Sequence, residues 1–87
     1  MKFSEKLRLL RQSKELTQSE FSMRLNKKAK LLITRDQVAQ WETDGNMPSW
    51  KTLVAICDYF GVTVDVMVRE NITAPFKPYK QKLKMVA

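Results

Sequence analysis

Arg35, Asp36, Gln37 and Gln40 fall within one short stretch, TRDQVAQWE, which runs from Thr34 to Glu42. A guanidinium, a carboxylate and two carboxamides make a set of hydrogen-bonding groups: the first only donates, the second only accepts, and the last two do both. Bond-making chemistry has few candidates elsewhere. The chain has no histidine, a single cysteine at Cys57, no glycine-rich phosphate loop, no zinc-type cluster and no carboxylate pair in a recognisable setting. The sequence therefore argues against an enzyme and predicts no cofactor and no metal. Recognition of another surface is the chemistry that remains.

Charge narrows the surface. The formal net charge is +7, which favours an acidic partner such as nucleic acid or a membrane surface. Residues 1 to 33 hold nine basic and three acidic side chains, residues 34 to 68 two and five, and residues 69 to 87 five and one. The positive charge thus sits at the two ends. No apolar run approaches the roughly 18 residues of a membrane span, and MKFSEKLRLL lacks the apolar core of a signal peptide. A soluble, cytoplasmic protein is the expectation.

Nine residues cannot hold themselves helical in water, so other elements must position the stretch. A first helix is expected over about 4 to 14, capped by Ser4, with Phe3, Leu7 and Leu10 at helical spacing. TQSE, Thr17 to Glu20, is a capping box that opens a second helix with Phe21 and Leu25 on one face. Thr34 with Gln37 repeats that signal for a third helix, which buries Val38 and Trp41 and stops near Gly45. Pro48 and Ser49 start a fourth, with Leu53, Ile56, Cys57 and Phe60 inward and Gly61 at its end. Thr63 caps a brief fifth helix through Val68, with Val64, Met67 and Val68 inward. Residues 69 to 87 contain Pro75 and Pro78 and a lysine-rich end, and are read as an edge strand or arm, a disordered tail, or a short helix. The fold class is therefore all-α, with residues 1 to 68 as the domain and 69 to 87 as a basic tail or arm.

On these residues the chain resembles the XRE-type, lambda-repressor-like helix-turn-helix domains. The matching stretches are EKLRLLRQSKELTQSEFSMRL, ITRDQVAQWE and MPSWKTLVAICDYFGVTVDVMV, which together cover about residues 3 to 68. The resemblance implies a five-helix bundle whose third helix lies in the DNA major groove, with Arg35, Asp36, Gln37 and Gln40 facing base edges. Side-chain chemistry agrees: arginine matches guanine O6 and N7, glutamine matches adenine N6 and N7, and a carboxylate accepts from cytosine N4. Two of these positions also have a plainer reading. Asp36 can be a first-turn residue favoured by the helix dipole and paired with Arg35. Gln37 can serve only the capping box. The resemblance further implies backbone contacts from Gln18 and Thr34 at the openings of the second and third helices, and from Thr43 and Asn46 around the turn that follows. It implies a structural ion pair between Arg11 and Glu42, where loss of one partner would strand the other charge. Trp41 is expected in the core, since a stacking platform for single strands needs an array of aromatics. Cys57 is expected to be a small buried hydrophobe.

The chain also departs from the family. Asn26 stands where relatives usually have glycine, and KKAKLL, residues 27 to 32, is extra. Either the second helix runs on by more than a turn, or a basic loop protrudes toward the duplex and Lys27, Lys28 and Lys30 touch phosphates. Leu31 or Leu32 is expected to turn inward, against Leu9. Val54, Tyr59 and Val66 are apolar where the family often carries polar side chains. Exposed and clustered, they would mark a dimer interface. A symmetric dimer places its two reading helices about 34 Å apart on a palindromic operator. The function these features imply is a sequence-specific double-stranded DNA-binding regulator, most simply a repressor of phage or mobile-element type, with no sensor domain. Two other readings are an antitoxin-like regulator whose tail binds a protein partner and a non-specific basic binder of RNA or a membrane surface.

Overall fold

A computed structural model describes residues 1 to 43 and 46 to 69. It consists of five helices, α1 (Phe3–Ser13), α2 (Gln18–Ala29), α3 (Arg35–Thr43), α4 (Trp50–Phe60) and α5 (Val64–Val68). The expectations for the 70 to 87 tail and for Gly45 lie outside the described residues.

Short-range capping sets most of the boundaries. Thr17 caps α2: its hydroxyl accepts from the Glu20 N–H at 3.0 Å, and the Glu20 carboxylate accepts from the Thr17 N–H at 2.9 Å. Thr34 and Gln37 repeat the exchange at α3, at 3.2 and 2.9 Å. Ser49 caps α4 and Thr63 caps α5, each hydroxyl accepting from the N–H three residues on. Gly61 ends α4 in the left-handed region at φ 71°, which glycine adopts without a Cβ penalty. The first helix differs from expectation. Ser4 lies inside α1, because the Glu5 carboxylate accepts from the Lys2 N–H at 3.1 Å and moves the helix start forward to Phe3.

The core takes one stripe from each helix. Phe3 and Leu7 of α1, Phe21 and Leu25 of α2, Val38 and Trp41 of α3, Leu53, Ile56, Cys57 and Phe60 of α4, and Met67 of α5 are buried together. Leu16 and Val62, from the two turns that follow α1 and α4, complete it. Phe21 stacks on Phe60 with ring centroids 5.3 Å apart, and Tyr59 closes on both rings edge-on. Trp41 is a core residue, not a stacking platform. Val68 was expected inward but is exposed. The backbone leaves α5 at Arg69 in an extended conformation.

Lys6 is the unexpected core member. It sits on the same stripe as Phe3 and Leu7 and is fully buried. Its ammonium donates to the carbonyls of Val66 and Arg69, at the end of α5 where helix carbonyls lack intrahelical partners. The long apolar stem fills the space between α1 and α5 while the charged head caps a helix.

The extra residues after Asn26 resolve into helix first and linker second. The helix runs on through Ala29, and Lys30 ends it in the left-handed region at φ 55°. Asn26 then pins the linker, donating to the Ile33 carbonyl at 2.8 Å and accepting from the Ile33 N–H at 2.7 Å. Leu31 and Ile33 pack against the core and Leu32 points outward. The inward leucine is therefore Leu31. Leu9 is itself an exposed residue of α1.

Candidate nucleic-acid interface

The site begins with the way α3 is held. Val38 and Trp41 are buried beneath it. Helical spacing then places Asp36, Gln40 and Thr43 on the opposite face and Arg35 beside them. All four side chains are exposed. Arg35 lies 3.3 Å from Asp36, with side chains 63% and 83% exposed. A pair that open to water contributes about 0 to 1 kcal/mol, so Arg35 can exchange it for another acceptor at little cost.

Glu42, inside the last turn of α3, is the anchor. Its side chain is 1% exposed, and its carboxylate accepts from Arg11 Nε at 2.7 Å and Arg11 Nη2 at 2.9 Å, a bidentate fork. Arg11 also donates through Nη1 to the Leu16 carbonyl at 2.6 Å, which ties the pair to the turn before α2. The hydrogen bond to Glu42 raises the Arg11 pKa above its ordinary value, against a smaller lowering by burial, so the guanidinium stays charged. Arg8 donates to the Glu42 backbone carbonyl at 2.9 Å and caps the same end of α3. Helices α1, α2 and α3 thus meet at one carboxylate.

Gln18 joins this hub: its Nε2 donates to Glu42 Oε1 at 3.2 Å. One amide hydrogen is thereby used, and the other remains for an outside acceptor. Gln37 spends its carbonyl oxygen on the Thr34 N–H, so the capping duty holds in the free protein and only its amide nitrogen is uncommitted. Thr34 is exposed, with its hydroxyl serving as the cap. Thr43 turns its hydroxyl back to the Ala39 carbonyl at 2.7 Å, while Asn46 is exposed beyond it. Lys27 and Lys28 are exposed in the last turn of α2 and Lys30 at its C-cap, where positive charge also suits the helix dipole.

The expected dimer residues fare differently. Tyr59 and Val66 are half-buried and pack against the core, and Val54 is half-buried. The exposure that motivated them is reduced because Tyr59 is drawn into the Phe21 and Phe60 cluster and covered by the Lys14 ammonium, 5.7 Å from its ring centre. The large apolar side chains that do stand out include Met23, Leu32, Met47 and Trp50. Cys57 is buried, and burial, with a smaller push from Asp58, raises its thiol to about 11, outside the range of a reactive thiolate at neutral pH. Among the described residues no three His, Cys, Asp or Glu side chains gather as a metal site, and no helix is long and apolar enough to cross a membrane.

Two residues that tie helices together, Arg8 at the hub and Lys6 between α1 and α5, lay beyond sequence reasoning. Neither Arg8 nor Lys6 carries a role in the sequence reading. The available signal was positional: Lys6 shares the Phe3 and Leu7 stripe, and Arg8 stands one turn before Arg11.

Comparison with known proteins identifies the family. A family model described as Helix-turn-helix, HTH_3, matches residues 7 to 67. The chain is 31% identical over 88 residues to the HTH-type transcriptional activator BcrR of Enterococcus faecalis. That alignment covers 99% of this chain and 40% of BcrR, so the chain spans well under half the length of this relative. No solved structure matches. With five helices among the described residues and a family match over most of its length, the chain belongs to the XRE-type helix-turn-helix family, HTH_3.

Proposed function

We propose that the chain is a sequence-specific binder of double-stranded DNA that regulates transcription, with α3 as its reading helix. One observation carries this: α3 presents Arg35, Asp36 and Gln40 to solvent while Val38 and Trp41 on its other face are buried and Glu42 clamps its end to α1. A rigid helix with outward donors and acceptors suits the major groove, where each base pair displays its own pattern. Arg35 would address guanine and Gln40 adenine. Asp36 would accept from cytosine N4 and repel mismatched acceptors, including phosphates.

Backbone contacts in this reading come from Gln18 and the first amides of α2, and from Thr34, Asn46, Lys27, Lys28 and Lys30. Thr43 belongs to the same set but must first release the Ala39 carbonyl. A homodimer on a palindromic operator is part of this reading, because helix-turn-helix dimers dock on two half-sites. A helix-turn-helix domain lying over a promoter excludes polymerase without further contacts, so repression by occupancy is the simplest output. An operator upstream of the promoter would allow the opposite sign, the one in the name of BcrR.

The test is selection from a random duplex library, then titration of the wild type and Gln40→Ala against the selected duplex and a scrambled one. Losing one bidentate contact is expected to weaken the selected complex by about tenfold and to leave the scrambled one unchanged. No enriched sequence, or an equal loss on both duplexes, would instead indicate a non-specific basic binder.

A further inference from the structure

Leu32 is 93% exposed, yet it is not on a loose loop. The residue before it, Leu31, and the residue after it, Ile33, both pack against the core. Ile33 is in addition held by two hydrogen bonds to the Asn26 carboxamide. The linker alternates in, out, in, with its middle side chain fixed outward. Two residues later comes Thr34, the cap of α3, so Leu32 lies within about 7 Å of the helix end that carries Arg35. Lys30, on the other side, is exposed. An isobutyl group between a lysine and the polar end of a reading helix is solvated at a cost that only an apolar partner in that place can recover.

We propose that Leu32 is a specificity-determining residue that contacts the C5-methyl group of a thymine at the edge of the base steps served by Arg35. The proposal rests on α3 being the DNA-reading helix. The thymine methyl is the one apolar feature a base pair displays in the major groove. Residues just ahead of a recognition helix lie at the rim of that groove, because it is the helix N-terminal residues that approach the base edges. A pinned linker reaches this position with little ordering entropy left to lose.

The test uses the full chain. The wild type and Leu32→Ser are each taken through selection from a random duplex library, and thymines of the selected site are then replaced one at a time by deoxyuridine, which removes only the methyl. Leu32 has almost no packing to lose, so the melting temperature of Leu32→Ser should equal that of the wild type. The expected result is one thymine per half-site whose replacement weakens wild-type binding by about threefold to fivefold, the scale of one buried methyl, and leaves Leu32→Ser unaffected. The same deoxyuridine sensitivity in both proteins would overturn the proposal. So would a uniform weakening of Leu32→Ser on every duplex. If the wild type enriches no sequence, the DNA-reading function itself fails, and that outcome is distinct from a specific wild type whose Leu32 makes no difference.

Discussion

Replacing Glu42 by alanine is the sharpest perturbation of the scaffold behind α3. The carboxylate has a side-chain exposure of 1% and accepts from two Arg11 nitrogens and one Gln18 nitrogen. Alanine leaves the Arg11 guanidinium, 12% exposed, with the Leu16 carbonyl but without a counter-charge. Breaking a buried pair from one side costs about 3 to 5 kcal/mol, most of it from the stranded charge. A domain of this size is stable by about 4 to 13 kcal/mol, so the loss is a large part of the whole. At about 4 to 8 °C per kcal/mol, the melting temperature should fall by on the order of 15 to 30 °C. Urea denaturation followed by circular dichroism at neutral pH gives the free energy directly. The companion variant, Arg11→Met with Glu42→Leu, removes both charges and should recover most of the loss, because no charge is left buried alone. A Glu42→Ala loss under about 1 kcal/mol, or a double variant as unstable as the single, would refute the reasoning that this carboxylate joins the three helices.

Two further outcomes follow from the same geometry. Asn26→Ala removes both partners of the Ile33 backbone and should destabilise by about 1 to 3 kcal/mol in denaturant melts, while an Asn26→Asp variant keeps only the acceptor and should fall between. The capping hydrogen bonds from the Thr17 backbone and then its hydroxyl hold the Glu20 carboxyl below its ordinary value of 4.5. Its stabilisation is therefore complete above that value and is lost as pH falls through the lower folded one. Thermal melts across the acid range should show a shallower pH dependence for Glu20→Gln than for the wild type, and identical slopes would contradict the assignment.

What the sequence disclosed and what it hid divide along a physical line. Elements specified by neighbours in the chain were legible: the Thr17 to Glu20 and Thr34 to Gln37 boxes, the Ser49 and Thr63 caps, and the Leu53, Ile56, Cys57 and Phe60 stripe all depend on residues within one or two turns. Ser4 misled because the next residue, Glu5, closes the helix start two residues earlier by accepting from the Lys2 N–H. Features that depend on distant partners were hidden. Lys6 looks like one of many basic surface residues until α5 brings the Val66 and Arg69 carbonyls to it from 60 and 63 residues away. Asn26 looked like a substitute for glycine, whereas its carboxamide binds a backbone seven residues on. Tyr59 read as an exposed interface residue because nothing local announces the Phe21 and Phe60 rings it joins. At the candidate site, the exposure of Arg35, Asp36 and Gln40 follows from helical period alone. The partial commitment of Gln18, Gln37 and Thr43 to internal hydrogen bonds does not.

The most direct measurement of the central claim is an amide and side-chain NMR titration of the full chain with its selected duplex. The account predicts that the largest shifts fall on the Arg35 and Gln40 side chains and the α3 amides from Arg35 to Gln40, with Gln18 and Leu32 next and the α5 resonances unmoved. Shifts concentrated on α4 and α5 with α3 silent would contradict it.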